Sequence, residues 1–122
     1  MPSQNVTSAE FESLINENKI VFIDFWADWC APCKQFATIY EQVSEQFPNI
    51  KFAKVNIEAE QELADFFEIR SIPHLMVFKE SIVIYSNAGS MPASTLNELV
   101  EQALAADVSA IKSQFEQGDE QQ

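Results

Sequence analysis

The two cysteines of this 122-residue chain stand three positions apart, at Cys30 and Cys33. Thiolate, not thiol, attacks a disulfide, so a reactive cysteine needs a setting that lowers its pKa. The sequence supplies one. An apolar run of β-branched and aromatic residues at 20–27 ends just before the pair, and a helical pattern begins just after it. A sulfur at the first turn of a helix meets unpaired N–H groups and the positive end of the helix dipole, which both favour an anion. Cys30 is therefore expected as the nucleophile. Cys33 follows about one turn later, within reach of Cys30, and is expected as the more buried, resolving thiol. Pro32 suits a first helical turn and stiffens the spacer it forms with Ala31. Trp29 offers a flat apolar surface to a partner's backbone. A bridge closing so small a loop stabilises little. Two cysteines are too few for a secreted disulfide scaffold. A zinc site needs about four ligands, and two thiols with one His fall short, so no metal is expected. Dithiol–disulfide exchange is the chemistry these residues favour.

Asp24 is the second informative position. It lies inside the most apolar stretch, where a carboxylate is costly to bury. Two placements are open. Buried beneath the pair, its pKa would be raised and it would accept the proton of Cys33 during resolution. On an amphipathic strand it would face water. Its same-face neighbours Phe22 and Trp26 favour burial. Lys54, in the next strand, is either a tuning partner for Asp24 or an ordinary exposed lysine.

The elements that must position these groups follow from periodicity. Residues 8–18 read as a helix with Ser8 as its cap and Phe11, Leu14 and Ile15 as its stripe. Residues 20–27 read as a central strand buried on both faces. The helix after the dithiol carries Phe36, Ile39, Tyr40, Val43 and Phe47, and Pro48-Asn49 ends it. A strand at 51–57 and a short helix at 60–67 come next. Strands at 75–78 and 82–85 are expected as an antiparallel hairpin around a turn at 79–81, followed by a loop at 87–92. A helix from Ala93 places Leu96, Leu99, Val100, Ala103 and Leu104 on one face. This order argues an α/β fold, a mixed sheet with helices on its faces. Only residues 4–6 remain for a first strand. Val108, Ile111 and Phe115 continue a helical seam beyond Leu104. Residues 1–106 are read as one domain and 107–122 as a helical extension with a frayed polar end. The seam either packs on the chain's own surface or binds a partner or a second copy.

Composition sets the outer bounds. The chain is 47% hydrophobic, with ten Phe and two Trp, enough for a core without covalent staples. Seven Lys and Arg oppose nineteen Asp and Glu, a formal net charge of -12, which disfavours nucleic acid as a partner. Residues 1–10 lack a basic start and an apolar run, and no stretch suits a membrane span. A cytoplasmic, monomeric protein is expected, with association through the tail as the alternative.

Taken together, the run from Phe22 to Lys34, with Trp29-Cys30-Ala31-Pro32-Cys33-Lys34 at its end, resembles the active-site signature of the thioredoxin family. Ile69-Arg70-Ser71-Ile72-Pro73 is similar to the segment ending in that family's cis-proline, and Phe78-Lys79 and Gly89 fall where its terminal hairpin and following loop carry similar residues. The resemblance implies the thioredoxin fold, a central mixed β-sheet flanked by helices, here with an extended C-terminal helix. It implies that Pro73 is cis, faces the dithiol, and that the Ile72 backbone pairs with a substrate strand. It implies a protein-disulfide reductase, acting in electron transport and cell redox homeostasis. Its partners would be disulfide-containing proteins and an NADPH-dependent flavoprotein reductase. No cofactor is bound, the working group being a redox-active Cys30–Cys33 disulfide. The alternative is a binding or chaperone-type module acting through the C-terminal helix, or a reductase dedicated to one partner. The sequence departs from the family's common pattern at Ala31, Thr38, Ser71 and Ser81. It departs also at His74, where an imidazolium close to Cys30 would lower its pKa and where the plain alternative is a strand histidine without a role.

Overall fold

A computed structural model of the chain describes residues 3–113. Helix α1, Ser8–Glu17, buries Phe11, Leu14 and Ile15 on one stripe. Its cap is Thr7, not Ser8. The Thr7 hydroxyl accepts from the Glu10 N–H at 3.3 Å, and the Glu10 carboxylate accepts from the Thr7 N–H at 2.9 Å. This reciprocal box needs an acidic residue three positions on, which Thr7 has in Glu10. Ser8 instead donates its N–H and hydroxyl to Glu60.

Strand β2, Ile20–Trp26, is buried along nearly its whole length. Val21, Ile23 and Phe25 face one apolar cluster with Phe11, Leu14 and Leu63. Ile20 and Phe22 face another with Phe36, Tyr40, Val43, Leu96 and Val100. Helices cover both sides, so the run shows no polar alternation.

The remaining elements are β1 (Ser3–Asn5), α2 (Ala31–Gln46), β3 (Lys51–Asn56), α3 (Gln61–Phe66), β4 (His74–Lys79), β5 (Ile82–Ala88) and α4 (Ala93–Ala105). The sheet order is β1-β3-β2-β4-β5. β1, β3 and β2 run parallel, while β4 is antiparallel to both β2 and β5. The expected mixed sheet flanked by helices is therefore present, with a helix at its C-terminal side. β5 is longer than expected because Asn87 and Ala88 pair with Leu75 and His74.

Two corrections concern the far end of the sheet. Lys79 is not a turn residue. It ends β4 at 4% exposure, and its ammonium donates to the carbonyls of Ala103 at 2.7 Å, Leu104 at 3.0 Å and Ala106 at 2.6 Å. The turn is made by Glu80 and Ser81, both left-handed with φ of 51° and 67°. Beyond α4, residues 106–108 leave helical geometry and residues 109–113 are helical again. The seam is thus interrupted: Leu104 and Ile111 are exposed and Val108 is buried. Phe115 and residues 117–122 lie outside the described residues.

Candidate active site

The end of β2 and the start of α2 bring the two cysteines together. Cys30 is the N-cap of α2, and Pro32 sits in the first turn. The two residues form a disulfide with Cα atoms 5.2 Å apart. The Cys33 backbone N–H donates to Cys30 Sγ at 3.2 Å, and this sulfur occupies the place where an anion would collect the free amides of the helix. Cys30 Sγ also lies 3.7 Å from the Ile72 carbonyl oxygen. The Ile72–Pro73 peptide is cis, which brings a segment some forty residues distant in sequence against the dithiol.

Exposure hardly separates the sulfurs. Cys30 is 4% exposed and Cys33 2%, in the expected order but by a narrow margin. Their neighbours separate them. Around Cys30 stand Trp29, 67% exposed, the exposed Ala31 and Pro32, and the partly buried Ile72. Cys33 instead lines an interior cavity of about 130 Å³, shared with Asp24, Trp26, Ala27, Asp28, Lys34, Ala37 and Lys54.

Asp24 is fully buried, which decides between its two placements. It falls on the same side of β2 as Phe22, the side that α2 covers. Neither carboxyl oxygen has a hydrogen-bond partner among the described residues. Burial pushes its pKa up to about 8, against the opposing pull of the Lys54 charge. The parallel register sets Lys54 directly beside Asp24. Lys54 Nζ also stands 5.9 Å from the centroid of the Trp26 ring, whose indole N–H donates to Asn5 at 3.2 Å. Lys54 is thus half-buried at the mouth of the cavity rather than a plain surface lysine.

His74 is not part of this group. The antiparallel register pairs it with Phe25, on the α1 and α3 side of the sheet. Its ring meets Phe25 edge-on at 6.2 Å, and Nε2 is 2.8 Å from the Ser86 hydroxyl. Desolvation lowers its pKa, so it supplies no positive charge at neutral pH.

Sequence reasoning gave no role to Asp28 and Lys34, which place opposite charges at the cavity mouth. Their position within the dithiol turn was the available signal. Gly89 is explained by its backbone: its N–H donates to the Pro73 carbonyl at 2.7 Å with φ at +114°, a conformation that side chains disfavour. Among the described residues no group of three or more His, Cys, Asp or Glu could hold a metal, and no helix is long and apolar enough to cross a membrane.

This geometry has counterparts. The family model described as Thioredoxin matches residues 2–102. Thioredoxin-1 of Saccharomyces cerevisiae is 36% identical over 107 residues, spanning 88% of this chain and 99% of the yeast protein. Thioredoxin of Coprinus comatus is 39% identical over 98 residues, spanning 79% and 92%. Among solved structures, Plasmodium falciparum thioredoxin is similar with a TM-score of 0.76 and 35% identity, over 81% of this chain and 97% of that one.

Proposed function

The chain belongs to the thioredoxin family and is a thiol–disulfide oxidoreductase that reduces disulfide-containing proteins; we propose that Cys30 attacks and Cys33 resolves. Reduced Cys30 enters as a thiolate, held by the Cys33 N–H and the first turn of α2. It attacks one sulfur of a substrate disulfide, and the other substrate sulfur leaves as a thiolate. The substrate chain lies across Trp29, Ala31 and Pro32 and pairs with the backbone at Ile72 and Pro73. Cys33 then gives its proton to Asp24, through water in the cavity between them, and attacks Cys30 Sγ. The second substrate sulfur departs and takes up a proton, leaving the Cys30–Cys33 disulfide. Lys54 tunes the readiness of Asp24 to accept the proton.

The observation that carries this assignment is the unequal setting of the two sulfurs: Cys30 against a helix start and the Ile72 carbonyl, Cys33 against a cavity containing a buried carboxyl. Two variants test it. Cys33→Ser should accumulate a mixed disulfide through Cys30. Cys30→Ser should lose reduction by about a thousandfold or more and form no such adduct. An adduct that instead forms through Cys33 would reverse the roles.

Each turnover consumes two electrons, and we assign their supply to an NADPH-dependent flavoprotein reductase. A reducing cytoplasm suits a chain whose two cysteines are both used in the reactive pair. We take residues 1–106 as the catalytic domain, working as a monomer, and 107–122 as an extension beyond it. The comparisons do not favour the binding-module alternative.

A further inference from the structure

The parallel pairing of β1, β3 and β2 sets Asn5, Lys54 and Asp24 in one row across the sheet. All three point to the side that α2 covers. Ser3, two positions before Asn5, donates its hydroxyl to Glu41 of α2, and Phe22, two before Asp24, packs in the cluster of Phe36 and Tyr40. The row is an amide, an ammonium and a carboxyl. Asp24 and Lys54 line the cavity beside Cys33, and Asn5 lies outside it.

Trp26 ties the row together. Its indole N–H can only donate, and it donates to Asn5 Oδ1 at 3.2 Å. β3 lies between β1 and β2, so the backbones carrying these two residues are about 10 Å apart. The indole therefore spans the face of β3. Its ring passes beside Lys54, with Nζ 5.9 Å from the centroid. The edge strand is fastened at the same point, the Val6 N–H donating to the Lys54 carbonyl at 2.9 Å. The other groups around Asp24 leave Lys54 as the charge to be positioned. α2 presents Cys33, Tyr40 and Lys34, the dithiol turn presents Asp28, and β4 presents Leu75. Burial holds the Tyr40 phenol neutral, and its hydroxyl donates to the Ala53 carbonyl at 2.8 Å. Asp28 and Lys34 are exposed and of opposite sign.

We propose that Asn5 is a positioning residue for the proton acceptor of the dithiol: through the Trp26 indole it holds the Lys54 ammonium at the mouth of the Asp24 cavity. The inference rests on the reading of Asp24 as that acceptor. Without the Asn5 carboxamide the indole N–H turns to water, the ring is released from β3, and Lys54 moves out into solvent. Asp24 then loses part of an opposing positive charge and keeps its proton to higher pH.

A carboxyl NMR titration of the oxidised protein, with single-turnover substrate release measured alongside, tests the proposal. Asn5→Ala should raise the Asp24 midpoint by about half a pH unit and slow release at pH 7 about threefold. Lys54→Met should raise the midpoint by about one pH unit. The double variant should match Lys54→Met alone, since Asn5 acts only through Lys54. Ser3→Ala loosens β1 without touching the Asn5–Trp26 bond and should leave the midpoint unchanged. An unmoved midpoint in Asn5→Ala, a further shift in the double variant, or an equal shift in Ser3→Ala would each overturn the proposal. Native release that fails to follow the Asp24 titration would instead overturn the acceptor reading. The carboxyl titration would still decide whether Asn5 acts on Asp24.

Discussion

Two ionisable side chains are buried on the same side of the sheet, and they differ in what surrounds them. Asp24, in the middle of β2, has no hydrogen-bond partner on either carboxyl oxygen and borders a cavity. Lys79, at the end of β4, has three carbonyl partners from the end of α4 and the residue that follows. A buried polar group without partners is driven toward its neutral form and remains available to exchange a proton. A buried ammonium with all three donors used is fixed in place. It satisfies helix carbonyls that would otherwise be orphaned, and its charge sits at the negative end of the helix dipole. The dithiol lies beside the first kind of residue. The second kind fastens the chain where α4 ends.

The largest expected effect breaks the Asp24 side of this contrast. In the folded chain its pKa is about 8, against an ordinary value of 3.8. The folded state therefore keeps a proton that the unfolded chain has already released. The stability this group contributes is intact below pH 4, falls as pH rises toward 8, and levels off above it. Asp24→Asn removes the titration. Urea unfolding of the oxidised protein should show the native chain losing, relative to the variant, on the order of 5 kcal/mol between pH 4 and pH 9. Stopped-flow release of a trapped substrate should speed up through about pH 8 in the native chain. In Asp24→Asn the step should be about a hundredfold slower and lack that inflection. An unchanged inflection would remove Asp24 from the proton path.

Lys79→Met tests the other half. Three carbonyls lose their donor, and chemical denaturation should report a loss of about 3 kcal/mol. Reduction per folded molecule should stay within about twofold of native, because nothing at the dithiol touches this residue. A rate loss as large as that of Asp24→Asn would erase the distinction between the two buried groups. The smallest effect is expected at His74. Its ring lies across the sheet from α2 and its pKa is lowered by burial. His74→Ala should leave the pH–rate profile between pH 5 and 8 within about twofold of native. Loss of an inflection within that range would return the histidine to the site.

Much of this was legible in the chain itself. The Cys30–Cys33 spacing, the apolar run before it and the helical stripe after it fix a dithiol at a strand–helix junction, because strand and helix periods are local and can be read a few residues at a time. Alternating residues of β2 also told that Asp24 shares a side with Phe22. What periodicity does not carry is which distant segments meet. The cis Ile72–Pro73 peptide against Cys30, Lys54 beside Asp24 and His74 on the opposite side of the sheet are settled by strand register. A single-residue slip in register exchanges the two sides. Lys79 read as a turn residue because a lone lysine near a hairpin usually meets water. Its burial depends on where the far end of α4 comes to rest, and that is a property of the packed molecule alone.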